Sequence, residues 1–271
     1  VKIALPALLF SSFLTVEFER AYLGIFVFIP ILCISLLGLG YLFSRTRFGH
    51  PFSPFLMTGF EFGMIGITLF GTAYGMDQIG VLGVVGLSHE FFIWFGFVTI
   101  LEAKVGGTRS IGDTLRGFLH SPVIIAVVLG TAANLLGLGS WFSRAMIPSA
   151  LLTAMHHLSG MIIPLILINV GFGMRIDVAG VRQALPTVLT RLVLVLSVAL
   201  LANPWLVRVL GLPAIFGHAL FTFVLLPPPF IVPLYIDRKH ADDMTYANNV
   251  LSVYTLVSIV VFLVYVAFHP V

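Results

Sequence analysis

Charge is what this 271-residue sequence has least of: only 9% of its residues are Asp, Glu, Lys or Arg. A water-exposed domain carries roughly 25%, so a soluble globule is excluded and lipid must be treated as the solvent. The 14 Lys+Arg and 11 Asp+Glu leave a formal charge of +3, too sparse for a nucleic-acid footprint. The single cysteine, Cys33, rules out an intramolecular disulfide and any cysteine-built zinc or iron-sulfur site. Also missing are Gly-x-Ser-x-Gly, a loop Asp-x-x-x-Asp pair and His-Glu-x-x-His. Nucleophilic, prenyl-transfer and zinc-protease chemistry therefore lack their minimal parts. The expectation is a protein that is not an enzyme and carries no cofactor or metal.

What is abundant is apolar: 59% of residues, with a mean hydropathy of +1.10. A helix needs about 20 mostly apolar residues to cross the hydrocarbon core. The pattern supplies nine such stretches, at 1–16, 21–43, 55–75, 78–101, 118–138, 147–173, 184–206, 215–236 and 246–268. The first is short, starts at Val1 without Met, and lacks the basic n-region and small-x-small site of a signal peptide. It reads as a span preceded by further residues in the native chain.

Alternate connections carry Lys2, Arg45, Arg47, Lys104, Arg109, Arg116, Arg175, Arg182, Arg238 and Lys239 on one side, and Arg20, Arg144 and Arg208 on the other. The positive-inside bias makes the richer side cytoplasmic. Residue 1 then starts inside and Val271 ends outside a multi-pass cell membrane protein.

The two halves resemble each other. Ala4-Leu-Pro-Ala-Leu-Leu-Phe-Ser11 pairs with Ile163-Pro-Leu-Ile-Leu-Ile-Asn-Val170, 55–75 with 215–236, and 78–101 with 246–268. Paired spans lie five crossings apart, so the copies run in opposite directions, the pattern of inverted-repeat transporters. Both members of the second pair are interrupted. The first holds Gly59, Gly63, Gly66 and Gly71 beside Thr58, Glu61, Thr68 and Thr72; the second holds Pro227, Pro228, Pro229 and Pro233. Three successive prolines remove three amide donors and clash with the preceding turn, so neither span is a plain helix. Two readings follow: kinked helices without a ligand, or broken helices crossing at the midplane, whose half-helix N-termini face an anion.

Several polar residues fall inside spans. A carboxylate there costs on the order of 3 kcal/mol on insertion scales, which makes Glu61 a candidate proton carrier or sodium ligand, the alternative being a Glu that bonds freed backbone amides. His89 and Glu90 lie midway along 78–101, where an interhelical contact competes with a coupling role. Arg191 keeps its charge and needs a carboxylate, a ring of carbonyls, an anionic substrate, or snorkelling to the interface. Asp77 reads as an N-cap for the next span. His156 and His157 are adjacent and point about 100° apart on a helix, which suits interhelical hydrogen bonds better than a metal. His218 stands beside the second broken span and could face a cavity. Asn169, Asn248, Asn249, Ser252 and Thr255 offer neutral polar contacts, for most of which helix packing is the simpler role.

Three segments, Glu61-Phe-Gly-Met-Ile-Gly-Ile-Thr-Leu-Phe-Gly-Thr-Ala-Tyr-Gly75, the run from Trp94 to Glu102, and Leu226-Pro-Pro-Pro-Phe-Ile-Val-Pro-Leu-Tyr235, resemble those of the auxin efflux carrier family. That family includes the PIN-type auxin transporters and bacterial malate or malonate carriers. The resemblance implies an all-α polytopic membrane protein of two inverted five-helix repeats, here without the first helix. It implies a scaffold of 1–16 and 118–173, transport-domain halves at 21–101 and 184–268, and two broken helices crossing at the substrate site. A homodimer through the scaffold helices is in keeping with relatives.

Thr68 stands where the family commonly has the crossover proline, and Glu61 where plant members have a substrate-facing asparagine. The expected substrate or ion site is Glu61, Gly63, Gly66, Thr68, Pro228, Pro229, Ile231, Pro233 and Asn248, with Glu61, Glu90 and Arg191 as coupling candidates. The expected function is alternating-access transport of a small organic anion, with sodium ion or proton as coupling ion. Competing readings are a sodium-coupled bile-acid-type or arsenite-type carrier on the same plan, a channel or receptor, and an intramembrane enzyme.

Overall fold

The computed structural model describes residues 3–15, 19–105, 112, 116, 119–120, 122–161, 168, 178–237 and 239–269. Asn169, the 163–170 motif apart from Ile168, Lys2, Arg109, Arg175 and Arg238 lie outside the described residues, as does the side chain of His156. Every regular element among the described residues is a helix, and there is no strand among them. In chain order the helices are α1 Ala4–Thr15, α2 Tyr22–Ser44, α3 Ser53–Leu56, α4 Phe62–Tyr74, α5 Met76–Lys104 and α6 Pro122–Leu135. They continue with α7 Gly139–Arg144, α8 Met146–Gly160, α9 Gly180–Leu210, α10 Ala214–Leu225, α11 Val232–Tyr235 and α12 Ala241–Phe268.

Four of these, α2, α5, α9 and α12, are long and apolar enough to cross a membrane. The helices α1, α4, α6, α8 and α10 contain shorter apolar stretches. Helices α5 and α9 outrun the stretches expected at 78–101 and 184–206, and each continues through a single π turn, Ile93–Phe97 and Val198–Ala202. A π turn adds a residue without ending the hydrogen-bond ladder, so the hydrophobic run stays one helix. The short α7 falls outside every stretch read from hydrophobicity.

The distribution of polarity is inverted relative to a soluble protein. Along α9 the exposed face carries Leu185, Leu189, Val193, Leu200 and Leu201, while Thr187 and Arg191 are fully buried. On α2 the exposed Leu23, Val27, Ile31 and Ile34 oppose a buried face of Ile25, Ile29, Leu32, Cys33 and Leu36. A helix apolar all round belongs in a core or in lipid, and these outer faces are uncovered. The fold is that of an all-α membrane protein.

Packing brings α1 onto α6 and α8, α2 onto α5, α9 onto α12, and α10 onto α5. Between them lie the two interrupted segments. The first is α3, a non-helical stretch at 57–61, and α4; the second is α10, a stretch at 226–231, and α11. Phe60 and Phe223 pack against each other beside the breaks, and these and Phe55, Phe70, Phe97 and Phe216 are fully buried.

Candidate functional site

The two interrupted segments run antiparallel. At one end His50, just before α3, stacks on Tyr246 at the start of α12, with ring centroids 3.7 Å apart. At the other, Tyr74 at the end of α4 stacks on His218 in α10, at 4.9 Å. Their breaks meet in between. The Glu61 N–H donates to the Pro227 carbonyl at 2.8 Å. Gly59 has φ +73°, a left-handed conformation, and a Cβ built on it would lie 2.7 Å from Pro229 Cγ; only glycine fits both demands. A Cβ on Gly66 would lie 2.8 Å from Leu226 Cδ1, so this glycine permits close approach of α4 to the second break.

Breaking two helices inside an apolar bundle creates four helix ends, each with unpaired backbone groups. Side chains from elsewhere take them up according to charge. Arg191 of α9 donates from one nitrogen, Nη2, to both the Gly59 carbonyl (2.7 Å) and the Leu226 carbonyl (2.9 Å). These carbonyls lie just past the C-terminal ends of α3 and α10, where the helix dipole favours a cation. Glu61 stands at the N-terminal end of α4 and its Oε2 accepts the Phe230 N–H at 2.8 Å, just before α11. His89 Nε2 of α5 accepts the Phe60 N–H at 2.9 Å. The crossover is thus closed by one cation on its carbonyl ends and one carboxylate on its amide ends.

Arg191 is wholly buried, with its guanidinium carbon 5.2 Å from the centre of the Phe60 ring and 5.0 Å from that of Tyr254. Its Nε and Nη1 have no hydrogen-bond partner, so the faces of these rings supply what stabilisation they receive. Of the partners weighed from the sequence, the arginine takes carbonyls. One turn earlier on α9, the Thr187 hydroxyl lies 2.5 Å from that of Tyr246 and 3.2 Å from that of Ser53, which is itself 3.0 Å from Tyr246. Helices α9 and α12 therefore grip the first interrupted segment at both its start and its break.

Glu61 remains half-buried, not sealed. Glu90 is half-buried on α5 next to His89. Its Oε2 accepts the Trp94 Nε1–H at 3.2 Å, and its Oε1 lies 4.0 Å from His89 Nδ1. That nitrogen is buried without a hydrogen-bond partner. No group of three or more His, Cys, Asp or Glu able to hold a metal occurs among the described residues.

The structure brings Glu61, Gly66 and Pro229 to the meeting of the two breaks, with Arg191 on its carbonyls; Gly63, Pro228 and Ile231 are their near neighbours in the chain, and Glu90 adjoins the His89 that binds Phe60. The Thr68 hydroxyl is spent on the Met64 carbonyl of its own helix, at 2.8 Å. Pro233 is in the first turn of α11 and Asn248 sits half-buried on α12, and neither takes part in the contacts above. Asp77 is not the N-cap expected of it: its carboxylate accepts from Gln78 Nε2, and no side-chain cap closes that helix start. His218 pairs through Nδ1 with the Tyr265 hydroxyl at 2.9 Å, far along α10 from the break.

Sequence reading missed Ser53, Thr187, Tyr246 and Tyr254 as parts of this assembly. The available signal was spacing, since Thr187 and Arg191 are four apart, and Tyr246 and Tyr254 eight apart, on apolar helices.

These features define a class: an all-α membrane protein with four helices long and apolar enough to span a bilayer and two interrupted helical segments whose breaks meet in its core. No protein-family model and no curated protein matches the chain.

Proposed function

We propose that the chain is a secondary transporter of a small organic anion, a carboxylate such as malate, malonate or an auxin-like acid, working by alternating access at the crossover. The observation that carries this reading is the Glu61 carboxylate, on a partly buried residue, seated on a backbone amide where two antiparallel broken helices meet. Irregular backbone at membrane depth is tolerated only when buried in protein or lining a wet cavity, and paired discontinuous helices are how transporters build midplane sites. The resemblance of 61–75 and 226–235 to the auxin efflux carriers supports the same reading. So does the absence of the residue patterns that enzymatic chemistry requires. On it, the basic loops face the cytoplasm and 21–101 moves with 184–268 against a scaffold of 1–16 and 118–173.

Glu61 occupies the place on the Phe230 N–H that a substrate carboxylate would take. Protonation of Glu61 leaves only a neutral carbonyl on that donor, which a substrate carboxylate displaces more readily than it would a carboxylate, so that a proton and an anion enter together with no net charge added to the site. The residues next to them, Phe60 and His89, are hydrogen-bonded to each other, so Glu61 and Glu90 support a second version in which a sodium ion neutralises both carboxylates, as in a bile-acid-type or arsenite-type carrier.

The test is uptake of labelled malate, malonate and indole-acetate into proteoliposomes under imposed proton or sodium gradients, for the unmodified chain and Glu61→Gln. The glutamine carbonyl can still accept from Phe230, so the variant removes charge and keeps geometry. Gradient-driven, saturable flux that loses its gradient dependence in Glu61→Gln is the expected result. Unchanged rate and pH dependence in the variant would sink the coupling scheme, and no flux of any substrate under either gradient would sink the transport reading for these acids.

A further inference from the structure

A cavity of about 840 Å³ lies at the end of the bundle where α9 and α12 finish and α10 begins, far from the crossover. Two features set its chemistry. Its wall includes Leu200, Val264 and Phe268, which are 63%, 53% and 78% exposed and continue the outward aliphatic faces of α9 and α12. Its polar lining is cationic or neutral: Arg208 in the last turn of α9, His269 just past α12, and His218, with no acidic residue.

The wall is pre-formed. Tyr265 is stacked between Phe221 at 3.6 Å and His269 at 4.4 Å, and its hydroxyl is tied to His218. Asn203, 2% exposed, belongs to the same lining, and neither its Oδ1 nor its Nδ2 has a hydrogen-bond partner. An amide buried with both atoms unpaired is costly, and a ligand head reaching that depth would relieve it.

We propose that this groove is a binding site for a phospholipid with an anionic headgroup. Its acyl chain lies along the Leu200, Val264 and Phe268 wall, and its phosphate is held by Arg208 and His269. An aqueous metabolite would have to enter past an aliphatic rim that faces the bilayer, whereas a lipid is already there. Helix ends carrying Arg and His beside an apolar groove provide both attractions a lipid head and tail require. The site is independent of the transport reading and stands or falls by its own test.

The experiment is native mass spectrometry of the full chain, released from detergent with equal amounts of phosphatidylglycerol and phosphatidylcholine of the same acyl composition. The unmodified chain should retain phosphatidylglycerol preferentially. Arg208 is exposed, so Arg208→Gln leaves the packing intact and should cut that preference about fivefold, one surface charge's worth of attraction to an anionic lipid. Gly217 lines the cavity, and its nearest neighbour to an added Cβ is Val207 Cγ2 at 3.9 Å. Gly217→Leu should therefore fill the groove and reduce retention of both lipids. Equal retention of the two lipids by the unmodified chain, an unchanged preference in Arg208→Gln, or full retention in Gly217→Leu would overturn the proposal. Retention of chainless glycerophosphate as strong as that of the lipid would also overturn it.

Discussion

Replacing Arg191 with methionine tests whether charge complementarity holds the crossover together. The methionine keeps most of the apolar stem between Phe60 and Tyr254 but removes both Nη2 donors, leaving the Gly59 and Leu226 carbonyls facing each other in a dry core. Each orphaned carbonyl costs about 1–3 kcal/mol. Against this stands relief from burying a guanidinium, which can return a few kcal/mol when a well-packed apolar group takes its place. Since Nε and Nη1 are unpaired in the native protein, that relief is substantial here: about 4 kcal/mol lost on the two carbonyls and about 2 returned leave a net loss of about 2 kcal/mol.

The assay is thermal unfolding in mild detergent followed by helical circular dichroism, where the loss corresponds to a fall of about 4–8 °C in Tm. Arg191→Lys, which keeps the charge on a shorter reach, should recover part of it. If Arg191→Met unfolds within about 1 kcal/mol of the native chain and Arg191→Lys behaves the same, the two carbonyls need no cation. The breaks would then be held by aromatic packing alone.

Gly59→Ala should destabilise by about 1–2 kcal/mol from the left-handed backbone alone, and by more because its Cβ would meet Pro229. Urea titration in detergent measures it, and a variant as stable as the native chain would refute the contact. At the start of α3, burial holds the His50 imidazole below its ordinary pKa and outweighs the opposing pull of Asp243. The folded state therefore favours neutral His50. Its contribution to stability is complete above the ordinary histidine value and is lost as pH falls through the lowered folded value. Thermal midpoints should drop on acidification across this range, with a shallower slope in His50→Gln; equal slopes in the two proteins would refute the assignment.

Much of the architecture was legible because its causes are local. Charge scarcity and long apolar runs specify a membrane protein whatever the helices pack against. Three adjacent prolines forbid a helix at 227–229, and the glycine-rich run from Gly59 marked the other break for the same backbone reason. The boundaries of α5 and α9 were less legible, because a π turn leaves no strong mark on hydropathy.

The partners of the buried charges were not legible at all. Arg191 reaches residues 132 and 35 positions away, Glu61 one 169 away and His89 one 29 away. From sequence, Arg191 had several equally good targets and Glu61 had two, since hydrophobic period records which face of a helix is buried and not what lies across from it. The choice was made when the two breaks crossed. Only then did two carbonyls fall within reach of one nitrogen and an amide within reach of Glu61. Only a tertiary arrangement can bring helix ends from opposite halves of a chain to one point and so determine which charge each end receives.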